Sequence, residues 1–574
     1  MPQKKRKSRR KVPGGLSARL TSYGDDAFSL YLRKVFLKSM GYSEEALNRP
    51  IVGITDTFSA YNSCHATVPK LVEAIKRGVM LAGGLPFEFP VVSLHESFAS
   101  PTSMYLRNLM AIDAEGMIRA QPMDAVVLIG GCDKTVPALL MGAASAKVPA
   151  ILEVTGPMLT GSYRGEQVGA CTDCRRFWAK FRAGTVKKEE LPEITDQLGP
   201  TPGTCMVMGT ASTMALTAEA LGMMLPGGAA IPAVNSERLR HAEHTGARAV
   251  ALAREGLTPN RIMTKKAFEN ALRTLLAIGG STNGLIHLTA VAGRLGIDIR
   301  LDRVDELARE TPVIVDLKPT GTYYMQELHE AGGFATILRA LKPLMNLNCA
   351  TVAGKTLKQI LKDAPSWPQD VVRPLDNPIH AEGGLAVLRG NLAPGGAVIK
   401  QSASSKKFFR HEGRAIVFEG VEDLAARIDD PRLDVTEDDI LIMRNAGPVG
   451  APGMPEAGYL PIPKKLAQKG VTDMVRISDA RMSGTAYGTI VLHVTPESAI
   501  GGPLSLVATG DRVLMDIPKR KLEMLVPKAE LDKRKAALAR RKPRRKPARG
   551  YARLFEEHIL QADKGCDFDF LVGD

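Results

Sequence analysis

The stretch IVGITDTF at residues 51–58, followed by LVEAIKRGVMLAGG at 71–84, decides the fold class of this 574-residue chain. The first is an apolar run that predicts a buried β-strand, and the second predicts a helix that ends at glycine. Further strands are predicted at FPVVSLH (89–95), DAVVLIGG (124–131) and VPAILEVTG (148–156). Apolar strands that alternate with helices predict an α/β domain built on a mainly parallel sheet, covered on both faces.

Beyond residue 381 the pattern changes to short strands separated by Gly, Pro and Asp turns. GRAIVFEG, DDILIMRN and GTIVLHVTP are examples. This pattern predicts a β-rich second domain, with the boundary between residues 360 and 385. We therefore divide the chain into a disordered basic tail at 1–16, an α/β domain at 17–380, and a β-rich domain at 381–574 that closes with a helical tail.

The net charge of +15 is concentrated in two short segments. Residues 1–12 hold seven Lys and Arg and no acid, and residues 528–549 hold eleven against two acids. The rest of the chain is therefore nearly neutral, which is typical of charged tails and not of a nucleic-acid-binding face. A nucleic-acid-binding protein is kept as a distant alternative, and it would show a steep dependence of binding on salt.

Composition excludes several other classes of protein. With 44% apolar and 24% charged residues, the chain matches an ordinary globular protein and not a disordered, collagen-like or coiled-coil one. No apolar run reaches the length of about 18 residues that predicts a membrane span. The basic N-terminus lacks the apolar segment of a secretory signal. Seven cysteines are too few for a disulfide scaffold, so we expect a reducing compartment and a cytoplasmic protein.

Three cysteines lie in Gly-, Ser- and Thr-rich loops at the ends of predicted elements. Cys64 follows the first strand, Cys132 follows the strand at 124–131, and Cys205 precedes a helix. In open α/β sheets, ligands gather beyond the carboxyl ends of the strands, so the three thiols could converge on one metal. The alternative is that they are small, buried core residues.

The pair Cys171-x-x-Cys174 has the spacing of a zinc ligand pair or a redox couple. No second pair of this kind lies nearby in the sequence to complete four ligands, and CRRFWAKFR predicts the start of a helix. A structural role is therefore favoured. A zinc hydrolase that uses this pair is kept as an alternative, which zinc without iron or sulfide in a metal analysis would favour.

Carboxylates and a lysine accompany the second of the loop cysteines. Asp133 and Lys134 follow it directly, Glu96 ends the strand predicted at 89–95, and Glu456 lies in a loop rich in Gly and Pro. Oxygen ligands suit magnesium. Lys134 could contribute only if it is uncharged or if carbon dioxide converts it to a carbamate. Each carboxylate alone could equally be a solvated or capping residue.

The segment RMSGTAYGT at 481–489 places Ser483 in a tight turn after a predicted strand. The turn lacks the G-x-S-x-G frame of a nucleophile elbow, and no histidine is an obvious partner. Ser483 could act as a base only in a strong positive field, such as that of a metal ion, which favours loss of its proton.

Together these motifs resemble those of the dihydroxy-acid dehydratase / 6-phosphogluconate dehydratase family. The resemblance rests on GITDTFSAYNSCHATVP, SLHESFASPTSM, GGCDKTVPALLMGAAS, TCMVMGTASTM and RMSGTAYGTIVLHVTPESAIGGPL, among others. It runs from about residue 17 to the C-terminus and is closest to the sugar-acid (pentonate) dehydratase branch. It implies an N-terminal α/β domain, a C-terminal β-barrel-like domain with the active site at their interface, and a homodimer or a dimer-of-dimers tetramer.

The resemblance implies a dehydration that converts a 2,3-dihydroxy acid to a 2-keto-3-deoxy acid. It further implies an iron–sulfur cluster held by Cys64, Cys132 and Cys205, with [2Fe-2S] favoured over [4Fe-4S] because of the pentonate branch. In this interpretation Cys171 and Cys174 are not ligands, in agreement with the structural role favoured from their surroundings.

The resemblance also implies a bound Mg²⁺ and a serine base. The implied magnesium ligands are Glu96, Asp133, a carbamylated Lys134 and Glu456. Ser483 would remove the proton from C2, Thr485 would help to orient Ser483 or the substrate, and Lys134 would belong to the catalytic residues as well as to the metal ligands.

The small-molecule substrate is left with two candidates. RMSGTAYGT and GCDFDFL favour a sugar acid such as L-arabinonate or D-xylonate. The alternative is the dihydroxy-acid dehydratase of branched-chain amino-acid synthesis, which converts 2,3-dihydroxyisovalerate to 2-ketoisovalerate. Both reactions share the same reacting atoms and differ in the substrate side chain.

Overall fold

The computed structural model describes residues 14–20, 22–540 and 546–573. Most of the tail predicted at 1–16 lies outside these residues. Its last residues begin a short 3-10 helix, Gly15–Ser17, in which Leu16 is buried. The amide of Gly15 donates to Asp124 Oδ1 at 2.7 Å, which ties this segment to the body of the protein.

The first half of the chain forms a four-stranded sheet in the order β2-β1-β3-β4, and all of its strands are parallel. These strands are β1 (Ile51–Asp56), β2 (Leu85–Pro90), β3 (Ala125–Gly130) and β4 (Ala150–Val154). Every residue of β3 is buried, as expected of a central strand covered on both faces. The predicted parallel α/β domain is confirmed.

The second strand lies earlier in the chain than the segment 89–95 that the apolar pattern predicted. The amide of Val91 makes the last hydrogen bond to β1, at 3.0 Å. The amide of Val92 instead donates to the carboxylate of Asp113, at 2.9 Å. The chain therefore leaves the sheet here, and the rest of the predicted strand carries it to Glu96.

Helices pack against this sheet and against each other. In chain order, α1 to α16 are Asp26–Ser39, Glu44–Leu47, Val68–Leu81, Ser103–Ala120, Thr135–Ala146, Thr172–Arg182, Leu191–Leu198, Thr210–Ala220, Ser236–Glu255, Pro259–Ile262, Lys265–Ala277, Thr282–Gly293, Leu301–Glu310, Met325–Glu330, Gly333–Ala340 and Leu357–Asp363. Helices α3 and α9 pack together and on the sheet, while α5 packs between β3 and α4. A two-stranded hairpin, β5 (Gly161–Tyr163) and β6 (Glu166–Val168), precedes α6.

The second half of the chain forms a closed eight-stranded barrel. Its strands are β7 (Ala386–Gly390), β8 (Ala393–Ile399), β9 (Arg410–Phe418), β10 (Ile440–Met443), β11 (Arg476–Ser478), β12 (Ile490–Thr495), β13 (Arg512–Asp516) and β14 (Lys521–Met524). Around the barrel they run β10-β11-β12-β8-β7-β14-β13-β9. Strands β9 to β12 are mutually parallel, and closure leaves no open sheet edge. The predicted β-barrel-like second domain is confirmed.

The remaining helices, α17 to α20, are Val421–Arg427, Lys464–Ala467, Lys528–Ala539 and Gly550–His558. Residues 550–573, here called the C-terminal strap, return from the barrel to the α/β domain. The guanidinium of Arg107 on α4 donates to the carbonyls of Gly565 and Cys566, at 3.0 and 2.7 Å. Among the described residues, no helix is long and apolar enough to span a membrane.

Candidate functional site

Two cysteine thiols meet beyond the carboxyl ends of β1 and β3. Cys64 lies in the short 3-10 helix Ser63–His65, and Cys132 follows β3 in a Gly-rich turn. The ligand atoms of Cys64, His95 and Cys132 lie within 4.8 Å of one another. The hydrogen bond between Cys64 and Cys132, together with burial, raises the pKa of Cys64 well above its usual value.

The turn at Cys132 is held by a buried histidine that sequence reasoning did not single out. His65 Nε2 accepts hydrogen bonds from the amides of Gly131 and Cys132, at 3.0 and 3.2 Å. Its Nδ1 donates to the carbonyl of Thr57 at 2.8 Å, which fixes the tautomer. Burial lowers the pKa of His65 to about 4, so the ring is neutral and can accept these bonds.

The third predicted cluster cysteine has another thiol as its nearest sulfur contact. Cys205 precedes α8, and its Sγ lies 3.2 Å from Sγ of Cys171. Hydrogen bonds from Cys174 and Cys205 lower the pKa of Cys171, and the bond with Cys171 raises the pKa of Cys205. Cys171 and Cys174, predicted not to be ligands, therefore lie directly beside the predicted ligand set.

Three carboxylates converge on one point from both halves of the chain. Glu96 begins a 3-10 helix after β2, Asp133 follows β3, and Glu456 begins a 3-10 helix after β10. Their nearest oxygens lie within 4.8 Å of one another. Lys134 Nζ lies 3.0 Å from Glu96 Oε2 and 2.5 Å from Asp133 Oδ2, and its side chain is fully buried.

Arg481 joins the two halves of this carboxylate group, and the sequence analysis missed its role. Its guanidinium donates to Glu456 Oε1 at 2.6 Å and to Glu96 Oε1 at 2.9 Å. It also donates to the hydroxyl of Thr102, at 2.5 Å. The available signal was the position of Arg481, two residues before Ser483 in a segment already singled out.

Burial and neighbouring charges shift the pKa values of Glu96 and Glu456 in opposite directions. Burial raises the pKa of Glu96, but Arg481 and Lys134 outweigh it and hold that pKa well below its usual value. Glu456 behaves in the opposite way, because burial and repulsion from Glu96 raise its pKa. The repulsion between Glu96 and Glu456 means that additional positive charge at this point would favour the ionised form of both carboxylates.

Ser483 and Thr485 form a hydroxyl pair in the loop between β11 and β12. Their side-chain oxygens lie 2.8 Å apart, and the Thr485 amide donates to Ser483 Oγ at 3.4 Å. The loop is packed tightly, since a Cβ on Gly484 would lie 2.6 Å from the Cβ of Ser281. Asn283 Nδ2 donates to the carbonyl of Met482 at 2.9 Å and holds the loop on α12.

The residues present fit the two groups that the resemblance implies. Buried thiols are the donors that iron–sulfur clusters take, and Cys64 and Cys132 already converge. The carboxylate group offers the hard oxygen donors that Mg²⁺ prefers. The two donor sets are contiguous, because the Cys132 thiol lies 3.4 Å from Asp133 Oδ1.

Most of the thiol and carboxylate donors lie at the carboxyl ends of strands, both in the α/β sheet and in the barrel. Apart from Cys205, the donors follow strands β1, β2, β3 and β10 at their carboxyl ends, and Ser483 follows β11 in the same way. Ligands bind at such ends in open α/β sheets. A cavity of about 990 Å³ opens between α6 and the barrel segment 459–472, with Cys171 and Cys174 in its lining. None of the nine predicted site residues lines this cavity, so it lies beside the donor sets and does not contain them.

Comparisons with known proteins agree with this architecture. Residues 49–360 match the sequence model of the dihydroxy-acid/6-phosphogluconate dehydratase N-terminal domain, and residues 370–566 match that of the C-terminal domain. The chain is 48% identical to an L-arabinonate dehydratase of Rhizobium leguminosarum bv. trifolii, over 96% of this chain and 95% of that protein. It is 44% identical to a 6-deoxy-6-sulfo-D-gluconate dehydratase of Pseudomonas putida, over 96% and 95% of the two chains.

A more distant relative is named for a dihydroxy acid. The chain is 38% identical to a dihydroxy-acid dehydratase of Ignicoccus hospitalis, over 93% of this chain and 97% of that protein. The protein belongs to the dihydroxy-acid/6-phosphogluconate dehydratase family. It is therefore a dehydratase, that is, a hydro-lyase.

Proposed function

We propose that the protein dehydrates a sugar acid of the L-arabinonate or D-xylonate type to the corresponding 2-keto-3-deoxy acid. The relatives at 44–48% identity that are named for sugar acids support this substrate class, because the relatives named dihydroxy-acid dehydratases are less similar, at 37–39% identity. The observation that carries the proposal is that the set of cysteine thiols and the set of carboxylates touch, through the contact between Cys132 and Asp133.

In this proposal Cys64, Cys132 and Cys205 hold an iron–sulfur cluster, with [2Fe-2S] preferred. Magnesium is held by Glu96, Asp133, a carbamylated Lys134 and Glu456. When bound, the two groups supply Lewis-acid stabilisation of the leaving hydroxyl and of the negative charge that develops next to the carboxylate. Carbamylation of Lys134 would replace a buried cation with an oxygen donor beside Asp133, at a position where the ammonium now pairs with both neighbouring carboxylates.

The proton transfer is assigned to Ser483. Ser483 Oγ takes the proton from C2, and the electron pair left behind forms the C2–C3 double bond as the C3–O bond breaks. The hydroxyl leaves as water with the proton that Ser483 took from C2. The enol then releases its C2 hydroxyl proton to water and takes a proton from water at C3, which gives the keto acid. Thr485 supports the deprotonated serine, because its hydroxyl lies 2.8 Å from Ser483 Oγ and can donate to it.

The test is formation of 2-keto acid by anaerobically purified protein supplied with magnesium. The substrates are L-arabinonate, D-xylonate, gluconate and 2,3-dihydroxyisovalerate. We expect rapid turnover of one or more sugar acids and slow turnover of the branched substrate. Turnover of the branched substrate alone would overturn the sugar-acid assignment and favour a role in amino-acid synthesis.

A matched pair of serine variants tests the base. Ser483→Ala should lose nearly all turnover while it retains the visible absorbance of the cluster. Ser505→Ala removes a serine that donates only to the Gly502 carbonyl and should turn over normally. Full activity of Ser483→Ala would overturn the assignment of the base.

Two further expectations belong to this proposal. The protein acts in the cytoplasm on a small-molecule substrate, and it assembles as a homodimer or a dimer of dimers. Size-exclusion chromatography with light scattering would report the assembly, and a monomer at micromolar concentration would contradict it.

A further inference from the structure

A fully buried lysine lies beneath the turn that carries Ser483. Lys400 follows β8 directly, and its side chain has no exposed surface. In the antiparallel pairing of β8 with β12, Ile399 lies opposite Val491. Lys400 therefore lies beside the start of β12, where the chain emerges from the Ser483 turn.

The ammonium of Lys400 has an unusual environment for a buried charge. Its Nζ lies 3.4 Å from the carbonyl oxygen of Gly484. Within residues 14–20, 22–540 and 546–573, no ion pair joins Lys400 to a carboxylate. Burial lowers the pKa of Lys400 to about 7. A lysine buried without a carboxylate partner costs stability whenever it is charged, so its presence needs a reason other than packing.

One peptide group connects this lysine with the proposed base. The Gly484 carbonyl accepts from Lys400, and the amide at the other end of the same peptide belongs to Thr485. That amide donates to Ser483 Oγ at 3.4 Å. Hydrogen bonds in series polarise one another, so a cation on the carbonyl makes the N–H a stronger donor.

We propose that Lys400 is a positioning residue that stabilises deprotonated Ser483 through the Gly484–Thr485 peptide. The inference rests on the proposed role of Ser483. The arrangement is that of an oxyanion-stabilising donor whose strength is set by a charge on its far side. Negative charge on Ser483 in turn favours the protonated form of Lys400, so the cation is present when the serine has lost its proton.

The test compares Lys400→Met with the wild-type holoenzyme. Methionine has a similar length and no charge, so the variant should keep the cluster absorbance and a thermal midpoint at least as high as the wild type. We expect kcat to fall about tenfold or more, the effect of a one-unit rise in the pKa of Ser483, with KM changed less than about threefold. Substrate deuterated at C2 should show a larger isotope effect on kcat than with the wild type.

Gln401→Leu is the matched control. Gln401 is the next residue, is also buried, and donates to the carbonyl of Gly383 at 2.6 Å, away from the Ser483 turn. It should lower the thermal midpoint and leave the isotope effect unchanged. Lys400→Met with wild-type kcat, or with a loss of kcat that only follows a loss of cluster, would overturn the proposal.

The role proposed for Ser483 and the role proposed for Lys400 can be contradicted independently. If Ser483→Ala remains active, the base assignment fails and the inference about Lys400 falls with it. If Ser483→Ala is inactive while Lys400→Met retains full kcat and an unchanged isotope effect, only the inference about Lys400 is wrong.

Discussion

Arg481 shows how one buried side chain can unite a site built from distant segments. Its guanidinium bridges Glu96 and Glu456, and its side chain is fully buried. Removing one partner of a buried ion pair leaves the remaining charges without compensation. The two carboxylates would then repel each other across the junction between the domains.

We predict that Arg481→Met destabilises the metal-free protein by about 3–5 kcal/mol, because Glu456 loses its ion-pair partner while Glu96 retains Lys134. The measurement is unfolding by urea in the presence of a chelator. Arg512→Met is the control, since Arg512 pairs with Glu412 at the exposed surface and should cost at most about 1 kcal/mol. Equal effects of the two substitutions would contradict the structural role of Arg481.

Substitution of Cys132 is expected to remove the cluster, whereas substitution of Cys171 is expected to leave it in place. Cys132→Ser should abolish the visible absorbance and the bound iron and sulfide, since its thiol belongs to the converging group. Cys171→Ser should retain all three, even though the two sulfurs of Cys171 and Cys205 lie 3.2 Å apart. Iron and sulfide analysis checks both variants, with Cys349→Ser as a buried control. A colourless Cys171→Ser protein would show that the ligand set extends to Cys171.

At the scale of the elements, β4 and α9 are joined by a buried carboxylate. Glu153 on β4 accepts from Arg238 at 3.1 Å, from His241 at 2.8 Å and from Thr245 at 2.7 Å, all on α9. Burial raises the pKa of Glu153, but these partners outweigh it and the net pKa is lowered. Burial lowers the pKa of His241, but Glu153 outweighs it and the net pKa is raised.

The stability that this cluster contributes should depend on pH in both directions. The stabilisation that comes with the lowered pKa of Glu153 is fully present above pH 4.5, the pKa of the unfolded group. It is lost as the pH falls through the pKa of the folded group. The stabilisation that comes with the raised pKa of His241 is fully present below pH 6.5, the pKa of the unfolded group. It is lost as the pH rises through the pKa of the folded group. Glu153→Gln should therefore lower the thermal midpoint most at about pH 5–6 and less at about pH 9. A difference that stays constant over this range would contradict the assignment.

The elements also show what could be predicted from the sequence. Strands β1, β3 and β4 are buried on both faces, so each leaves a continuous apolar run that predicts its place. Strand β2 was misplaced because the apolar residues after it are buried by other contacts, outside the sheet. The bridge from Arg481 to Glu96 spans 385 positions, and no local pattern reports such a contact. The same is true of Lys400 and of the contact between Cys171 and Cys205.

At the scale of the whole molecule, the C-terminal strap fastens the barrel to the α/β domain. Arg294, which directly follows α12, makes two hydrogen bonds to the carboxylate of Asp567, and both side chains are buried. On the barrel side, Gln561 Nε2 donates to Glu497 Oε1 at 2.8 Å. The strap therefore holds the two halves that contribute to one site.

We predict that Asp567→Asn loosens the strap, because it removes the charge that pairs with buried Arg294, at a cost of about 3–5 kcal/mol. Trypsin should then cut within residues 550–573 faster than in the wild type, and turnover should fall as the halves lose alignment. Asp569→Asn in the same segment affects only an exposed pair with His558 and should leave the rate of cleavage unchanged. Equal cleavage of both variants would contradict this role of the strap.

The order of the site along the chain has a consequence for biosynthesis. All three predicted cluster thiols are translated before Glu456, Arg481 and Ser483, and the strap comes last. At about 5–20 residues per second, a ribosome needs tens of seconds to pass from Cys205 to Ser483. During that interval the nascent polypeptide carries the three predicted cluster thiols before the barrel has been made. Maturation factors that deliver iron and sulfide would find these thiols accessible then, and oxidants in the same cell would compete for them.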